Sequence, residues 1–346
     1  MRRLRVAVLA GGRSSEHAVS LASGRSVAES LDPKRYDVRE IAIHRDGRWA
    51  LDRGDAPPGE LEARAGEAGP TDLPIPTAGG APEPLANVDV VFPVLHGPFG
   101  EDGTVQGLLE LAGVAYVGAG VTASALAMDK DLFKAVMRDK GIPVVRSVAV
   151  LERQAERVEN PFGYPVVVKP ARLGSSVGIS IVRDPAELAP AVELALRHDE
   201  KILLEEHVRG IEVECGVLGN DEPVASLVGE IVTLTSDWYD YSAKYEEGGM
   251  ELVVPARISD ETTRRVQELA VASFVASDCE GMARVDFFVR DDGEVLVNEL
   301  NTIPGFTATS VYAKLFEASG IPYAELLDRL VGLAIERRDR RDRLEY

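Results

Sequence analysis

Residues 281–305 read GMARVDFFVRDDGEVLVNELNTIPG, and this stretch decides the fold of the chain. It contains two runs of alternating apolar and polar residues on either side of Asp-Asp-Gly, which is a strong signal for a β-hairpin. If Asp292 and Gly293 form a two-residue loop, Asp286 lies directly opposite Glu299 on the neighbouring strand. The sequence therefore predicts a hairpin on which two acidic side chains are cross-strand partners.

This register divides the hairpin into a polar face and an apolar face. Side chains alternate across a strand, so Arg284 and its partner Asn301 share the face of the acidic pair. The apolar face consists of Ala283, Val285, Phe287, Val289, Leu296 and Leu300, with Asn298 as its one polar exception. The charged and amide side chains that could bind a ligand are therefore concentrated on one face of the hairpin.

The opposed carboxylates indicate a metal site on that polar face. Directly paired Cβ atoms lie about 4.5–5.5 Å apart, so two negative charges there repel one another. Oxygen ligands from Asp, Glu and Asn suit Mg²⁺, which usually also binds substrate phosphates. The alternative is a solvated hairpin face with scattered charges. The register and the Asn-Thr-x-Pro-Gly turn that follows favour the magnesium site.

Length and charge limit the class of protein. At 346 residues the chain can form two or three domains, and its 45% hydrophobic content is ordinary for a globular protein. The net charge of −19 argues against nucleic acid or an anionic membrane surface as a partner. Cys215 and Cys279 form neither a disulfide framework nor a zinc spacing, so buried free thiols are expected.

The beginning of the chain bears on its location. The first apolar run ends at Gly11, which is too short for a signal sequence or a membrane span. No later run approaches membrane length. The sequence therefore predicts a cytoplasmic protein.

The first part of the chain has the pattern of a parallel α/β domain. A buried strand at 4–10 ends in Gly-Gly and precedes a helix that continues to about residue 31. Further strands are predicted at 38–44, 88–95 and 114–117, with a helix at 104–111. The spacing GxGxxG is absent, so dinucleotide binding is poorly supported. Residues 45–87 read as a mostly looped insertion with one short strand near Trp49.

Glu16 and His96 are candidate binding residues in this part. Glu16 follows the first strand and is suited either to a substrate ammonium or to the first turn of a helix, where the dipole favours an acid. His96 ends a strand before a glycine-rich loop, which is where ligands gather in open α/β sheets. For this histidine, ligand binding and simple loop hydrogen bonding are equal alternatives.

The middle of the chain carries three notable lysines. Lys130 and Lys134 lie one turn apart on a helix predicted at 122–140, and surface solubility is the alternative for both. Lys169 lies within an apolar strand, where a buried ammonium needs an anionic partner. The Gly/Ser loop at 170–178 follows, and its backbone N–H groups can cradle phosphates. It lacks the GK[ST] ending of a P-loop.

The second half alternates strands, a long loop and helices. Strands are predicted at 202–206, 212–218 and 225–231, and helices at 185–197, 260–277, 310–319 and 323–337. The polar, aromatic loop at 236–249 is long for a compact domain and is typical of a lid that excludes water.

Seven motifs follow one another along nearly the whole chain. They are GGRSSEHAVS (11–20), HGPFGEDGTVQG (96–107), SALAMDK (124–130), VVVKPARLGSSVGIS (166–180), YDYSAKY (239–245), ARVDFF (283–288) and NELNTIPGFTATS (298–310). In this order they resemble the ATP-grasp superfamily and, within it, the D-alanine–D-alanine ligase family.

The resemblance implies an α/β fold, with α+β character in the ATP-binding part. A Rossmann-like parallel-sheet domain would occupy residues 1–118, and a central ATP-grasp subdomain residues 119–205. A C-terminal catalytic domain would occupy residues 206–346 and include the lid. ATP would bind between the last two.

The resemblance also assigns roles to individual residues. It implies an ATP site of Lys130, Lys169, Ser175, Ser176, Glu205, Glu206, Val208, Glu212, Trp238 and Lys244. It implies Asp286, Glu299 and Asn301 as ligands of two Mg²⁺ ions, with Mn²⁺ as a substitute. It implies a substrate site of Glu16, His96, Tyr245, Arg284, Gly305, Ser310 and Val311. It implies four catalytic residues, which are Glu16, Ser175, Tyr245 and Arg284.

The implied reaction joins two D-alanine molecules through a D-alanyl phosphate, with release of ADP and phosphate, for peptidoglycan precursors. Tyr245 follows the family pattern of dipeptide ligases, whereas Val311 stands where leucine is usual and leaves a D-serine preference open. Another ATP-grasp carboxylate–amine ligase and a regulator without catalysis are the alternatives. The resemblance implies a homodimer, and a monovalent cation requirement stays open.

Overall fold

The structure is a computed structural model that describes residues 2–51, 85, 87–233 and 249–345. The predicted lid, with Trp238, Lys244 and Tyr245, lies outside the described residues, as does most of the 45–87 insertion. Within the described part, no helix is both long enough and apolar enough to cross a membrane. Cys215 and Cys279 are buried free thiols, as predicted.

The N-terminal sheet has the order β3-β2-β1-β4-β5. Its strands are β1 (Leu4–Gly11), β2 (Tyr36–Ile43), β3 (Trp49–Leu51), β4 (Val90–Pro93) and β5 (Ala115–Tyr116). All neighbours are parallel except β3, which is the short strand expected near Trp49. Two helices lie between these strands in the chain, α1 (His17–Ser30) and α2 (Thr104–Ala112). The parallel pairing confirms the predicted sheet. Its strands are continuous apolar runs because they are buried.

The helix predicted at 122–140 is in fact two helices, α3 (Val121–Met128) and α4 (Lys130–Asp139). Asp129 separates them with extended backbone angles, and its side chain accepts a hydrogen bond from the Leu132 N–H at 3.2 Å. An aspartate in the capping position stabilises a new helix start. The prediction of one continuous helix was therefore wrong, and Lys130 is the first residue of α4.

The central sheet is antiparallel, with the order β6-β9-β7-β8. Its strands are β6 (Ser147–Leu151), β7 (Val166–Pro170), β8 (Ser180–Val182) and β9 (Lys201–Glu206). The helix α5 (Leu188–Leu196) packs against it, and 3₁₀ turns occupy Glu152–Arg157 and Pro185–Glu187. The sequence prediction missed β6.

The C-terminal sheet is also antiparallel, with the order β12-β11-β10-β13-β14. Its strands are β10 (Ile211–Gly219), β11 (Val224–Thr233), β12 (Met250–Val253), β13 (Gly281–Val289) and β14 (Val295–Asn301). The helices of this part are α6 (Asp260–Ala276), α7 (Val311–Ala318) and α8 (Tyr323–Arg341). Apolar side chains of α6 and of the sheet form one core cluster.

The β13–β14 hairpin has the predicted cross-strand pairs but not the predicted turn. The Gly293 N–H donates to the Arg290 carbonyl at 2.9 Å, and the Arg290 N–H donates to the Glu294 carbonyl at 2.9 Å, so the loop has three residues. Gly293 has a φ of +87°, which suits the last position of such a loop. The two-residue loop was therefore wrong.

A β-bulge restores the register at the other end of the hairpin. The pairing shifts between Asp286 and Phe287, where Asn298 is the extra residue. Asp286 consequently lies opposite Glu299, and Arg284 lies opposite Asn301, as predicted. The three-residue loop takes Asp291 out of β13, and the bulge leaves Asn298 of β14 unpaired, so the two register shifts cancel and Asp286 and Arg284 keep their predicted partners.

The bulge changes which side chains face the core. Val295 and Val297 are in the core, whereas Leu296 pairs with Phe288 on the opposite face. The assignment of Leu296 to the apolar face was wrong, because the alternation reverses at the bulge. Asn298 reaches the amine of Lys169 at 3.3 Å.

The C-terminal helix ties the last sheet to the first. Apolar residues of α8, such as Leu330 and Val331, share a core cluster with Val90 of the N-terminal sheet. Arg337 is buried near the end of α8 and donates to the carbonyl oxygen of Tyr116 at 2.8 Å and to that of Gly118. These contacts hold β4, β5 and the chain just after β5 against α8.

Substitution of Gly293 in the turn and of Gly332 in α8 should change the free energy of unfolding in opposite directions. Gly293→Ala should destabilise the protein by about 1 kcal/mol, because a φ of +87° strains an alanine. Gly332→Ala, in the interior of α8 with no atom within 4 Å of the added methyl, should stabilise it by about 0.5–1 kcal/mol. Denaturant unfolding measures both. Equal effects of the two substitutions would contradict the turn assignment.

Candidate active site in two adjoining cavities

Two cavities of similar size meet at Ser175 and Glu299. The intersheet cavity, about 540 Å³, lies between the central and C-terminal sheets. The loop cavity, about 530 Å³, is lined by the start of α1, the loop after β4, the end of the hairpin and the start of α7. A larger hollow of about 930 Å³ beside α6 contains none of the predicted site residues.

The cavities separate the predicted residues into two groups. The intersheet cavity is lined by the predicted ATP residues Lys130, Lys169, Ser175, Ser176, Glu205, Glu206, Val208 and Glu212. The loop cavity is lined by Glu16, His96, Ser175, Arg284, Glu299, Asn301, Gly305, Ser310 and Val311. Residues from six separate stretches of the chain therefore converge around two connected spaces.

The acidic pair of the hairpin is neutralised by cations of the chain. Arg284 donates to both carboxylate oxygens of Asp286, at 2.7 and 2.8 Å, and lies 3.0 Å from Glu214 on β10. The amine of Lys130 lies 3.2 Å from Glu299. These contacts offset the repulsion between the paired carboxylates.

The hairpin residues fit a magnesium ion by the chemistry of their donors. Two carboxylates and one amide oxygen are hard ligands of the kind Mg²⁺ prefers. The amide nitrogen of Asn301 donates to Asp286 at 3.0 Å, so its Oδ1 is the atom that can coordinate a cation. Among the described residues, no group of three His, Cys, Asp or Glu side chains could hold a metal, and the set therefore depends on this amide.

Lys134, Lys169 and Glu205 form a buried ion cluster at the wall of the intersheet cavity. Glu205 binds the amine of Lys134 with one carboxylate oxygen and that of Lys169 with the other, the latter at 2.6 Å. Burial opposes ionisation of Glu205, but the two lysines outweigh it and lower its pKa. Burial lowers the pKa of Lys134 to about 8. Lys134 is fully buried, which excludes the surface alternative.

Ser14 connects Glu16 and His96, because its hydroxyl donates to the His96 carbonyl at 2.7 Å and accepts from the Glu16 N–H at 3.3 Å. Ser175 donates to Oε1 of Glu16, which joins the Gly/Ser loop to the start of α1. His96 uses both ring nitrogens: Nδ1 donates to the Ile303 carbonyl at 3.0 Å, and Nε2 lies 3.3 Å from the Ser23 hydroxyl. Burial lowers the pKa of His96. A neutral imidazole therefore fixes the loop while its ring lines the loop cavity.

The Gly/Ser loop carries strained backbone at the junction of the two cavities. Ser175 and Ser176 have φ values of +52° and +58°, which residues other than glycine rarely adopt. Strain of this kind concentrates at ligand-binding loops. Glu206, also at the intersheet cavity, is held by Arg146 at 2.8 Å and Arg290 at 3.1 Å.

At the far side of the loop cavity lies the turn that follows the hairpin. The Thr307 N–H donates to the Ser310 hydroxyl at 3.0 Å, and Ser310 precedes α7. Val311 is the first residue of α7 and presents an apolar side chain to the cavity. This side of the loop cavity therefore combines the hydroxyl group of Ser310 with the apolar side chain of Val311.

Sequence reasoning missed three residues at the site, Glu101, Glu214 and Asn298. Glu101 accepts from the Gly97 N–H at 2.9 Å, and its buried Oε2 has no hydrogen-bond partner in the described part of the chain. Burial, assisted by nearby Glu16, raises the pKa of Glu101 to about 8. Its place in the glycine-rich loop after His96 was the available signal. Nothing in the alternation pattern distinguished Asn298, because the bulge is a tertiary feature.

Comparison with known proteins gives a consistent result across nearly the whole chain. Residues 5–119 match the family model "D-ala D-ala ligase N-terminus", and residues 136–332 match "D-ala D-ala ligase C-terminus". A D-alanine–D-alanine ligase from Geobacillus thermodenitrificans is 43% identical over 99% of both chains. One from Mycobacterium sp. (strain KMS) is 47% identical over 97% of both.

Two solved structures are similar to this one over nearly their full length. The D-alanine–D-alanine ligase from Coxiella burnetii has a TM-score of 0.83 and 38% identity, and covers 99% of this chain and 97% of its own. The VanG D-Ala:D-Ser ligase from Enterococcus faecalis also has a TM-score of 0.83 and 38% identity, with 96% and 100% covered. The fold therefore does not separate these two activities.

The raised pKa of Glu101 predicts a pH-dependent stability. The unfolded chain loses this proton near 4.5 and the folded protein near 8, so between these values the folded state binds more protons and stability falls as pH rises. Glu101→Gln should remove up to ~1.4 kcal/mol per pH unit of that slope. Denaturant unfolding at pH 5, 6, 7 and 8 measures it.

The exposed Glu317→Gln is the matched control for that experiment and should leave the slope unchanged. An identical slope in wild type and Glu101→Gln would show that Glu101 is ionised in the folded protein.

Proposed function

The chain belongs to the D-alanine–D-alanine ligase family, and from that premise we propose that it joins two D-alanine molecules to D-alanyl-D-alanine with ATP as co-substrate. The observation that carries the proposal is the meeting of the two cavities at Ser175 and Glu299. One cavity is lined by lysines suited to phosphates, and the other by Glu16 and Arg284, suited to an amino acid. A carboxylate and a terminal phosphate can therefore meet at the junction.

The first step is transfer of a phosphoryl group to D-alanine. A carboxylate oxygen of the first D-alanine attacks the γ-phosphorus of ATP, the bond to the β–γ bridging oxygen breaks, and ADP leaves with that electron pair. Lys130 and Lys169 bind the phosphates, and the strained loop at Ser175 and Ser176 closes over them. Such positioning and charge stabilisation account for most of the catalysis in phosphoryl transfer.

Glu16 and Arg284 orient the first D-alanine in the loop cavity. The Glu16 carboxylate pairs with the substrate ammonium, and the Ser175 hydroxyl holds Glu16 in place. Arg284 is fixed by Asp286 and Glu214 at the cavity wall, where it stabilises the oxyanion that forms on the substrate carbonyl. His96 supports the loop beneath this substrate.

The second step forms the peptide bond. The free amine of the second D-alanine attacks the acyl phosphate carbonyl, the amine proton is lost, and inorganic phosphate departs. No nucleophile from the protein is needed. The turn at Gly305, with Ser310 and Val311, forms the wall against which the second D-alanine lies.

Asp286, Glu299 and Asn301 would hold Mg²⁺, which when bound neutralises phosphate charge. In the structure Lys130 is paired with Glu299, and Arg284 with Asp286. The carboxylates that would bind the ion therefore also hold these two cations beside the phosphate site. Two ions, substitution by Mn²⁺ and a monovalent cation requirement stay predictions.

The organisation of the protein completes the proposal. Three units at 1–118, 119–205 and 206–346, a lid at 236–249 bearing Trp238, Lys244 and Tyr245, and a cytoplasmic homodimer are proposed from the sequence. The product is a precursor of peptidoglycan, and this places the enzyme in cell-wall synthesis.

The proposed activity is tested by phosphate release from Mg-ATP with D-alanine as the only amino acid, and the dipeptide is identified by mass. D-alanine alone should give D-alanyl-D-alanine, and L-alanine should give none. D-alanine with D-serine or D-lactate reports on the second site. Phosphate release only with one of those acceptors would refute the assignment of D-alanine as second substrate.

The metal assignment predicts a selective effect of Glu299→Gln. Loss of this carboxylate should lower kcat by roughly 100-fold or more and raise the Mg²⁺ concentration for half-activity, because the ion loses a charged ligand. Glu294→Gln, exposed on the same hairpin, is the matched control and should change neither. Unchanged Mg²⁺ dependence in Glu299→Gln would overturn the assignment.

A further inference from the structure

We infer that Lys134 is a positioning residue for nucleotide binding, which holds Glu205 while Lys169 exchanges Glu205 for the phosphates of ATP. The inference rests on the proposed ATP site and adds to it a residue that does not touch the nucleotide. It starts from the buried cluster in which two lysines share one carboxylate.

The three side chains differ in their access to the intersheet cavity. Lys169 on β7 and Glu205 on β9 both line it. Lys134 on α4 is fully buried on the other side of Glu205. Lys134 therefore reaches the carboxylate from behind and Lys169 reaches it from the side of the cavity, so only Lys169 is placed to contact a ligand.

The contacts of Lys169 suit a residue that changes partner. Its amine lies 2.6 Å from Glu205 and 3.3 Å from the amide oxygen of Asn298, a neutral and more distant acceptor. A phosphate in the cavity would compete mainly with one carboxylate oxygen. The strength of that single ion pair consequently sets how easily Lys169 is released.

Charge balance explains why Lys134 is needed for the exchange. If Lys169 turned to a phosphate without Lys134 present, Glu205 would become a buried carboxylate that has lost both of its ion-pair partners, which is strongly unfavourable. With Lys134 in place, Glu205 keeps one buried partner after the exchange. The second lysine also divides the attraction of the carboxylate, so each ammonium is held less tightly than in a single pair.

The test is a double-mutant cycle on nucleotide affinity, because a residue that acts through another shows non-additive effects. Wild type, Lys134→Met, Glu205→Gln and the double variant are titrated with Mg²⁺ and the non-hydrolysable analogue AMP-PNP by isothermal calorimetry. Thermal unfolding of each is recorded in parallel, and the double variant restores charge balance where a single one folds poorly.

The expected result is a dissociation constant raised at least about tenfold by Lys134→Met in the wild-type background and changed less than about threefold in the Glu205→Gln background. In turnover, the KM for ATP should rise while that for D-alanine stays unchanged. Lys201→Met, which also removes a lysine ion pair on β9, is the control and should lower stability without changing AMP-PNP affinity.

Two outcomes would overturn the inference. Lys134→Met with wild-type affinity and only reduced stability would make Lys134 structural, and equal weakening in both backgrounds would show that it acts independently of Glu205. A wild-type protein that binds AMP-PNP but forms no dipeptide would refute the proposed function alone, because the calorimetric cycle does not depend on ligation.

Discussion

Asp286 and Glu299 lie opposite each other on neighbouring strands, and their repulsion must be offset for the hairpin to form beside two cavities. Arg284 from the same hairpin neutralises Asp286, and Lys130 from the first turn of α4 neutralises Glu299. The second pair joins the chain before the central sheet to the C-terminal sheet. This compensation of charge therefore ties the start of α4 to the C-terminal hairpin at the edge of the intersheet cavity.

The same ion pairs link the fold to catalysis. Cations that hold buried carboxylates in the structure are the groups that phosphates would attract, so ligand binding exchanges one set of charge pairs for another. Lys134, Lys169 and Glu205 show this arrangement most clearly, because a fully buried lysine remains with the carboxylate. The strained loop at Ser175 and Ser176 lies where the two cavities meet and contacts Glu16 across the junction.

Much of the candidate site could be read from local patterns, and the failures have physical causes. The predicted partners of Asp286 and Arg284 are correct because the register shift of the three-residue loop is cancelled by the bulge at Asn298. The helix break at Asp129 was missed because one capping side chain outweighed a continuous helical pattern. Glu101 was overlooked because its unusual protonation arises from burial and from Glu16, which is distant in the chain.

Residue type and spacing were sufficient to predict the family, the parallel and antiparallel sheets and most of the residues around the two cavities. Hydrophobic periodicity and short motifs are local properties, and a sequence contains them. The convergence of the cavities at Ser175 and Glu299, the burial of Lys134 behind Glu205 and the bulge at Asn298 arise only when distant segments pack together. Burial and the partners of each charge depend on the neighbours that folding brings to it, and a linear sequence does not contain those distances.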